Sequence, residues 1–485
     1  MDIIKLNSSY SIVRGSEANT IRDRWKAEFK GAYFDPLVKR GFKSPFRYLT
    51  EQTKDGLMVL NGHLLVDGYS QMHPVSFSPD AAGGITPPFK PYDFQVQALK
   101  TCLQNGRALI RMCTGSGKSL VISMLSYILL QSGYRGLLLV PNINLLEQFR
   151  SDIESYGFKF LLDNIELLGG GNKADFTKPL LISTWQSLMN TNVRNFDFII
   201  ADECHRYSSD VTSGIISELT STEMRWGFTG TIPDEPIDRM LLEGIFGPVH
   251  NLVTARQLID RGLGTPIHIN TLWLNYNDEI RQQLRAPYQT ALKVLKEYEP
   301  RTTLISNLAC RLLDKHENSL VLYSHTGHGK SIFRNIVKQR YPELELSDAD
   351  ITGPKSFETQ KNLGIYFING EDDAKTRELT RQALSSAAGA ILVSNYSILG
   401  TGINIKSLHN LIMAAPLKSY TTITQSIGRG IRKHETKARF NVYDIVDNTN
   451  VRGTGGIFVR QYNHRLKLSY IPEGYEIMDS CINIA

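Results

Sequence analysis

The sequence Ala108-Leu109-Ile110-Arg111-Met112-Cys113-Thr114-Gly115-Ser116-Gly117-Lys118-Ser119 decides the fold, because it joins an apolar run to a glycine-rich turn that opens onto Leu120-Val121-Ile122. A buried strand, such a turn and a helix together form a backbone cradle for phosphate. We expect the segment Thr114 to Ser119 to bind a nucleotide, with Lys118 reaching the terminal phosphates and the Ser119 hydroxyl ligating Mg²⁺. Met112 stands where the general pattern G-x-x-x-x-G-K-[ST] has glycine, and we expect its side chain to point into the protein.

Composition sets the outer bounds. The chain has 485 residues, enough for two to four domains, and a net charge of +6, which allows a polyanionic partner without requiring one. The five cysteines include no C-x-x-C pair, so the sequence indicates neither a disulfide framework nor a zinc site. The start lacks the pattern of a signal peptide, and no apolar run approaches the roughly 20 residues that span a bilayer. We therefore expect a cytoplasmic protein without a membrane partner.

Around the phosphate loop, apolar strand-like runs alternate with helical stretches, which is typical of a parallel sheet covered by helices. The predicted strands of this block are Ala108–Met112, Gly136–Pro141, Leu180–Thr184, Phe196–Asp202 and Trp226–Thr231. In such sheets ligands gather at the carboxyl ends of the strands. The functional groups that follow these strands should therefore converge on one crevice.

Two adjacent acids follow the fourth predicted strand, in Ile199-Ile200-Ala201-Asp202-Glu203-Cys204-His205. Asp202 is placed to bind Mg²⁺, directly or through water, and Glu203 to orient or deprotonate the attacking water. Adjacent acids also occur at strand ends by chance. The phosphate loop earlier in the chain favours the functional interpretation.

A second strand-rich block begins near Arg301 and has no phosphate loop. Its predicted strands are Ser319–Ser324, Gly364–Asn369, Ala390–Ser394, Asn410–Ala414 and Val442–Val446. The block contains instead the segment Gln425-Ser426-Ile427-Gly428-Arg429-Gly430-Ile431-Arg432. Its spacing predicts that Gln425, Arg429 and Arg432 share one helix face. Clustered guanidinium groups suit a triphosphate. The alternative is a solvated basic helix end.

Residues 1–85 are predicted to form a separate small α+β domain, with a helix over Thr20–Phe29 and a linker over Ser76–Pro91. From Arg22 to Arg47 there are eight Lys/Arg against three Asp/Glu, interleaved with aromatic residues. Such a mixture can hold phosphates and stack bases, although core aromatics beside a solvated charged face would give the same pattern. The candidate DNA-binding residues here are Arg22, Arg24, Lys39, Arg40, Lys43 and Arg47.

These motifs, in this order, resemble the motif set of superfamily 2 helicases, and the resemblance covers roughly residues 89–450. It implies two tandem recombinase-like (RecA-like) parallel-sheet lobes, ATP and Mg²⁺ as cofactors, and Arg429 and Arg432 acting on ATP bound to the first lobe. It further implies an adenine-reading Gln95 and coupling by Thr229, Thr231 and His205. The remaining implied sites are Gly402 for the nucleotide, and Gln148, Thr184, His325 and Thr401 for the DNA strand.

Within the superfamily the chain resembles the UvsW-type recombination helicases of T-even phages. The residues that carry this likeness are Ser324-His325-Thr326-Gly327-His328-Gly329-Lys330, Leu408-His409, Arg432-Lys433-His434, Tyr33-Phe34-Asp35-Pro36 and Phe46-Arg47-Tyr48-Leu49. The likeness implies a phage-encoded monomer in the host cytoplasm that remodels forked, single-stranded and branched DNA, with recombination or single-strand-binding proteins as partners. Asn404 departs from the aspartate of many relatives.

The predicted organisation is residues 1–85 as the DNA-binding domain, 86–262 as lobe 1, 263–300 as an interlobe connection, 301–450 as lobe 2 and 451–485 as an extension. Within the extension, Tyr462–Ile471 is predicted to pack on lobe 2 as a helix or a strand. Three functional alternatives stay open at this point. They are a duplex DNA translocase that does not separate strands, an RNA-directed helicase, and a nucleic-acid-binding module with an inactive ATPase.

Overall fold

The computed structural model describes residues 1–28, 38, 40, 44, 46–71, 73–78, 88, 90–192, 195–353, 356–396, 405–449 and 456–484. The chain divides into two compact units, Met1–Val253 and Thr254–Ala485. No helix in the described ranges combines the length and the apolar character needed to cross a bilayer.

The amino-terminal part of the first unit contains two small antiparallel sheets, in the orders β1-β2-β6-β5 and β3-β4. Among the described residues its strands are β1 (Asp2–Lys5), β2 (Tyr10–Arg14), β3 (Lys26–Glu28), β4 (Phe46–Tyr48), β5 (Thr50–Thr53) and β6 (Gly56–Leu60), and its named helices are α1 (Glu17–Arg24) and α2 (Asn61–Val66). The predicted helix Thr20–Phe29 was thus wrong in its second half, because Lys26–Glu28 pairs as a strand with Phe46–Tyr48.

This amino-terminal part is built into the first unit, whereas the sequence predicted a separate domain. Leu60 belongs to the same apolar cluster as Leu109 and Leu137 of the larger sheet. The buried Arg225 guanidinium donates to the hydroxyls of Ser8 and Ser9, at 3.2 and 2.8 Å. Backbone and side-chain hydrogen bonds therefore fasten the amino terminus to this sheet.

The larger sheet of the first unit is parallel, in the order β13-β7-β12-β11-β8-β10-β9 among the described residues. Its strands are β7 (Arg107–Met112), β8 (Gly136–Val140), β9 (Ile165–Leu168), β10 (Leu180–Thr184), β11 (Phe198–Ala201), β12 (Met224–Thr229) and β13 (Val249–Val253). The helices are α3 (Asp93–Gln104), α4 (Lys118–Gln131), α5 (Ile143–Ser155), α6 (Lys159–Asp163), α7 (Trp185–Met189), α8 (Asp210–Ser217) and α9 (Pro236–Phe246), with a 3₁₀ turn at Cys204–Tyr207. All five strands predicted for this block are present.

The second unit holds another parallel sheet, ordered β16-β17-β15-β18-β19-β14-β20 in the described part of the chain. Its strands are β14 (Ile267–Tyr276), β15 (Asn318–Tyr323), β16 (Ile365–Ile368), β17 (Ile391–Asn395), β18 (Leu408–Met413), β19 (Phe440–Asn448) and β20 (Glu476–Ile484). The helices are α10 (Ala255–Asp260), α11 (Asp278–Gln283), α12 (Tyr288–Glu297), α13 (Glu299–Asp314), α14 (Thr326–Arg340), α15 (Asp348–Ile351), α16 (Ser356–Leu363), α17 (Ala374–Ser386), α18 (Tyr420–Gly428) and α19 (Ile457–Arg465). The five predicted strands are again present.

Two predicted boundaries need correction. The predicted connection 263–300 contains β14, and the predicted extension 451–485 contains β20, which pairs with β14 along its length. Each segment therefore contributes a strand to the second sheet. The predicted packing of Tyr462–Ile471 is confirmed as helical, since α19 continues into a π-helical turn at Leu466–Tyr470.

Two buried ion pairs join helices α13 and α19 to strand β19 of the second sheet. Arg465 of α19 donates to both carboxylate oxygens of Asp444 on β19, each at 2.8 to 2.9 Å. Arg301 of α13 makes the same two-point contact with Asp447, at 2.7 and 3.1 Å. Since all four side chains are at most 2% exposed, each charge depends on its partner.

Candidate active site

The loop between β7 and α4 has the backbone shape of a phosphate-binding turn. Gly115 and Gly117 have φ angles of +83° and +80°, a left-handed conformation that glycine adopts without steric cost. The Ser116 hydroxyl donates to the Cys113 carbonyl at 2.7 Å and closes the turn. The loop leads into the amino terminus of α4, where backbone N–H groups and the helix dipole favour an anion.

Gln95 braces this loop from α3. Its side chain is 4% exposed, its amide nitrogen donates to the Ser116 carbonyl at 2.9 Å, and its amide oxygen accepts from the Tyr92 N–H at 2.9 Å. A side chain at Gly117 would collide with the Gln95 amide. The structure thus gives Gln95 a contact with the loop, and its role in reading adenine stays a prediction.

Lys118 lies between the loop backbone and the acidic pair. Its ammonium donates to the Met112 carbonyl at 3.3 Å and lies 3.9 Å from Glu203 Oε1. The Met112 side chain is fully buried, which confirms the expectation that it points into the protein. Met112 therefore affects the loop through its carbonyl oxygen.

The two acids differ in their electrostatic environment. Burial, and then the charge of Glu203, raise the pKa of Asp202 to about 7. Burial would also raise the pKa of Glu203, but Lys118 and neighbouring positive groups outweigh it, so the Glu203 pKa lies below its usual value. Glu203 is the more readily ionised acid, as expected of a group that accepts a proton from water.

His205 lies between Glu203 and the end of β12. His205 Nδ1 lies 3.4 Å from Glu203 Oε2 and 2.8 Å from Thr229 Oγ1. The Thr229 hydroxyl donates to the Thr231 carbonyl at 2.7 Å, so it must accept from His205, which fixes the proton on Nδ1. Burial lowers the pKa of His205 to about 4. A neutral His205 therefore hydrogen-bonds Thr229, which in turn bonds Thr231, while its ring lies beside the predicted catalytic acid Glu203.

Ser119 and Asp202 offer the oxygen ligands that Mg²⁺ prefers, a hydroxyl and a carboxylate. The raised pKa of Asp202 also fits a cation, because a positive charge would offset what burial and Glu203 cost its ionised form. Ser119 Oγ lies 2.6 Å from the hydroxyl of Tyr156, the residue that follows α5. Sequence reasoning missed Tyr156, which belongs to no recognised motif.

In the second unit the predicted helix face of Gln425, Arg429 and Arg432 was wrong. Helix α18 ends at Gly428, Arg429–Ile431 form a 3₁₀ turn, and Arg432 is extended with φ −64° and ψ 130°. The buried Lys437 supports this turn by donating to the Gly430 carbonyl at 2.8 Å. The two arginines are thus displayed by a turn and an extended segment.

Comparisons with known proteins bear on these observations. The sequence profile of the family described as Type III restriction enzyme, res subunit, matches residues 88–234. The ATP-dependent DNA helicase uvsW of Enterobacteria phage T4 is 30% identical over 385 residues, which cover 77% of this chain and 72% of the phage protein. The chain belongs to the superfamily 2 helicases. The predicted resemblance to this superfamily and its UvsW-type members is confirmed, and the protein is an ATP-dependent helicase.

More distant relatives of the helicase agree with this placement. The DNA 3'-5' translocase XPB2 of Sulfurisphaera tokodaii is 22% identical over 365 residues, which cover 71% of the helicase and 79% of the translocase. A fragment of a putative HsdR subunit of a type I restriction enzyme from Vibrio vulnificus YJ016 aligns with a TM-score of 0.58 at 19% identity, over 84% of this chain and 71% of that one. The predicted pair of RecA-like lobes is confirmed as the fold.

The residues of the helicase that were predicted to contact the DNA strand have different surroundings. Arg22 is exposed and lies 4.8 Å from the ring centre of Tyr48, while Arg40 is exposed and Arg47, Gln148 and His325 lie on β4, on α5 and just before α14. Two others have internal partners. Arg24 pairs with the buried carboxylate of Asp67 at 2.7 Å, and Thr184 is 2% exposed and caps α7.

The Thr184 hydroxyl accepts from the Ser187 N–H at 3.3 Å. The prediction that this hydroxyl contacts a DNA strand therefore does not fit the structure. Lys39, Lys43, Thr401 and Gly402 lie outside the described residues. Asn404 and Tyr33-Phe34-Asp35-Pro36 do as well.

Proposed function

We propose that this helicase uses ATP to move on DNA and remodels branched DNA by fork regression, branch migration of four-way junctions and unwinding, in phage recombination, repair and replication. The observation that carries the proposal is the position of His205, which hydrogen-bonds Thr229 at 2.8 Å and lies 3.4 Å from Glu203, so that the predicted catalytic acid and the end of β12 contact the same side chain. The relationship to a protein named a DNA helicase supports DNA as the partner.

In the proposed reaction Lys118 holds the terminal phosphates and Glu203 takes a proton from the attacking water. Ser119 and Asp202 would hold Mg²⁺, which would neutralise charge on the phosphate oxygens. The pKa order of the two acids supports this division, because Asp202 favours a cation and Glu203 is ionised without one. From the second lobe, Gln425, Arg429 and Arg432 are proposed to act on the γ-phosphate of ATP. Loss of that group on hydrolysis is proposed to change the hold of the protein on DNA.

Strand contacts in the second lobe are proposed at the amino terminus of α14. His325 precedes this helix, and a cavity of about 620 Å³ beside it is lined by Lys293 and Lys296, and also by Glu297 and Glu299. Basic side chains at a helix amino terminus suit a phosphate backbone. In the first unit Gln148 on α5, with Arg22, Arg40 and Arg47, would provide further contacts.

The test replaces Lys118 by alanine. DNA-stimulated ATP hydrolysis should fall to background, because the ammonium that balances the phosphate charge is lost. Lys173→Ala, at an exposed lysine of the same lobe, is the control and should retain turnover. Wild-type hydrolysis by Lys118→Ala would overturn the site assignment.

The DNA assignment needs its own comparison. ATP hydrolysis and unwinding by the wild-type protein are measured on single strands, forks, four-way junctions and RNA duplexes. Preference for forks and junctions is expected, while preference for RNA duplexes would replace the proposal by an RNA-directed helicase.

A second candidate is a translocase that moves on duplex DNA without separating strands. The relationship to a protein named a DNA 3'-5' translocase favours it. Displacement of a triplex strand without displacement of a duplex strand would select this candidate.

A further inference from the structure

Tyr156 touches the predicted metal-ligating residue without belonging to any predicted motif. Its hydroxyl lies 2.6 Å from Ser119 Oγ, a short hydrogen bond between two neutral hydroxyls. Ser119 is the second residue of α4, and Tyr156 follows the last residue of α5. The contact therefore joins the phosphate loop to the helix that carries the predicted strand-contact residue Gln148.

The Tyr156 side chain is well fixed for this contact. Its backbone N–H donates to the Asp152 and Glu154 carbonyls, which caps α5. Its ring meets that of Phe158 edge-on, with ring centres 6.5 Å apart, and Phe158 in turn contacts Tyr127 of α4. The phenol is thus positioned by both helices.

A hydroxyl that ligates a divalent cation gives a lone pair to the metal, and its proton then needs an acceptor. We propose that Tyr156 is a positioning residue whose phenolic oxygen accepts a hydrogen bond from the Ser119 hydroxyl and so turns the Ser119 lone pairs toward the metal of the bound nucleotide. This inference rests on the proposed function, in which Ser119 holds Mg²⁺. No covalent step is involved.

The experiment compares Tyr156→Phe with Tyr127→Phe in the full-length protein. Tyr127 lies in the same aromatic group, and none of the described residues forms a hydrogen bond with its hydroxyl. The affinity for a fluorescent ADP is measured by titration in Mg²⁺ and in EDTA. The ratio of the two affinities gives the enhancement of ADP binding that the metal confers. We expect Tyr156→Phe to reduce this enhancement about fivefold, the factor that one ordinary hydrogen bond confers, and to leave binding in EDTA unchanged.

A double variant identifies the route. In a Ser119→Ala background, Tyr156→Phe should cause no further loss, because the hydroxyl on which it acts is absent. Equal metal enhancement in wild type and Tyr156→Phe, or an equal loss in Mg²⁺ and EDTA, would overturn the inference. A wild-type protein without metal enhancement would instead overturn the proposed metal site, on which the inference depends.

Discussion

Glu203 presents its carboxylate from a strained backbone. Its φ of +46° is left-handed, a region that costs a residue with a Cβ on the order of 1 to 3 kcal/mol. The turn places Glu203 within reach of Lys118 on one side and His205 on the other. Strain at this position is compatible with the role proposed for Glu203 in activating water.

A substitution at Thr229 tests whether ATP hydrolysis is coupled to unwinding through His205 and Thr229. Thr229→Val keeps the branched shape but leaves the His205 Nδ1–H and the Thr231 N–H without their acceptor, so we expect more ATP hydrolysed per base pair unwound. Thr222→Val is the control, because the Thr222 hydroxyl is equally buried and bonds only the Phe196 carbonyl, at 2.8 Å. The coupling ratio is measured on a forked substrate, and an unchanged ratio in Thr229→Val would remove this route.

His63 gives a pH prediction for stability. Its ring stacks on Trp25 at 3.7 Å, its Nε2 donates to the Met240 carbonyl at 2.9 Å, and burial lowers its pKa from 6.5 to about 3. The unfolded chain therefore binds a proton that the folded chain excludes, so stability is lost as the pH falls below 6.5.

In a His63→Gln variant this loss is absent. The difference between the free energies of unfolding of wild type and variant should therefore narrow from pH 7.5 to pH 5. The change is up to about 1.4 kcal/mol per pH unit in the acidic range. Thermal unfolding at several pH values measures it. A difference that stays constant would show that His63 is not excluded from protonation.

Individual strands were predictable where both faces of a parallel sheet are covered. Each residue of β8 and β15 is buried, and such strands appear in sequence as continuous apolar runs. Four strands at or near a sheet edge were missed: β9, β13, β14 and β20 carry polar residues such as those of Glu476–Ile484, whereas the edge strand β16 is buried throughout and was predicted. Their pairing depends on distant segments, which local patterns do not record.

The break at Arg429 had a local cause that the spacing argument overlooked. Gly428 and Gly430 flank this arginine, and glycine disfavours helix by about 1 kcal/mol relative to alanine. A side chain at Gly430 would also collide with the Phe440 ring. The strand, turn and helix around the phosphate loop and the strand before the acidic pair could be predicted from sequence, whereas the display of the arginines required tertiary structure.

The ion pair that ties α19 to β19 predicts a large effect on stability. Arg465→Met leaves Asp444, which is 1% exposed, as a buried unpaired charge, and we expect a loss of about 3 to 5 kcal/mol. Arg460→Met, at an exposed position of the same helix, is the control. Urea unfolding compares them, and the double variant Arg465→Met with Asp444→Leu should recover most of the loss.

At the scale of the whole molecule, the attachment of residues 1–85 changes how their role is tested. Removing them would leave the buried Arg107 and Arg225 without the carbonyl and hydroxyl groups of Ser8 and Ser9. It would also expose the apolar cluster that contains Leu60. A truncated protein would therefore lose stability along with any DNA contact.

Surface substitutions avoid that problem. The double variant Arg22→Ala with Arg47→Ala should retain ATP hydrolysis on single strands and lose activity on forks and four-way junctions. Because each phosphate contact releases counterions, the salt dependence of junction binding should also become shallower. Lys54→Ala, at an exposed position of the same amino-terminal part, is the control. Unchanged junction activity in the double variant would reassign this surface.

The pairing of β14 with β19 and β20 has a consequence for biosynthesis. At roughly 5 to 20 residues per second, on the order of 8 to 33 s of translation separate Tyr276 from Phe440, where β19 begins. During that time β14 has neither of the neighbours with which it pairs in the finished sheet. A nascent chain at this stage presents two open strand edges, so the ribosome-bound intermediate is the form of this helicase most exposed to aggregation and most dependent on chaperones.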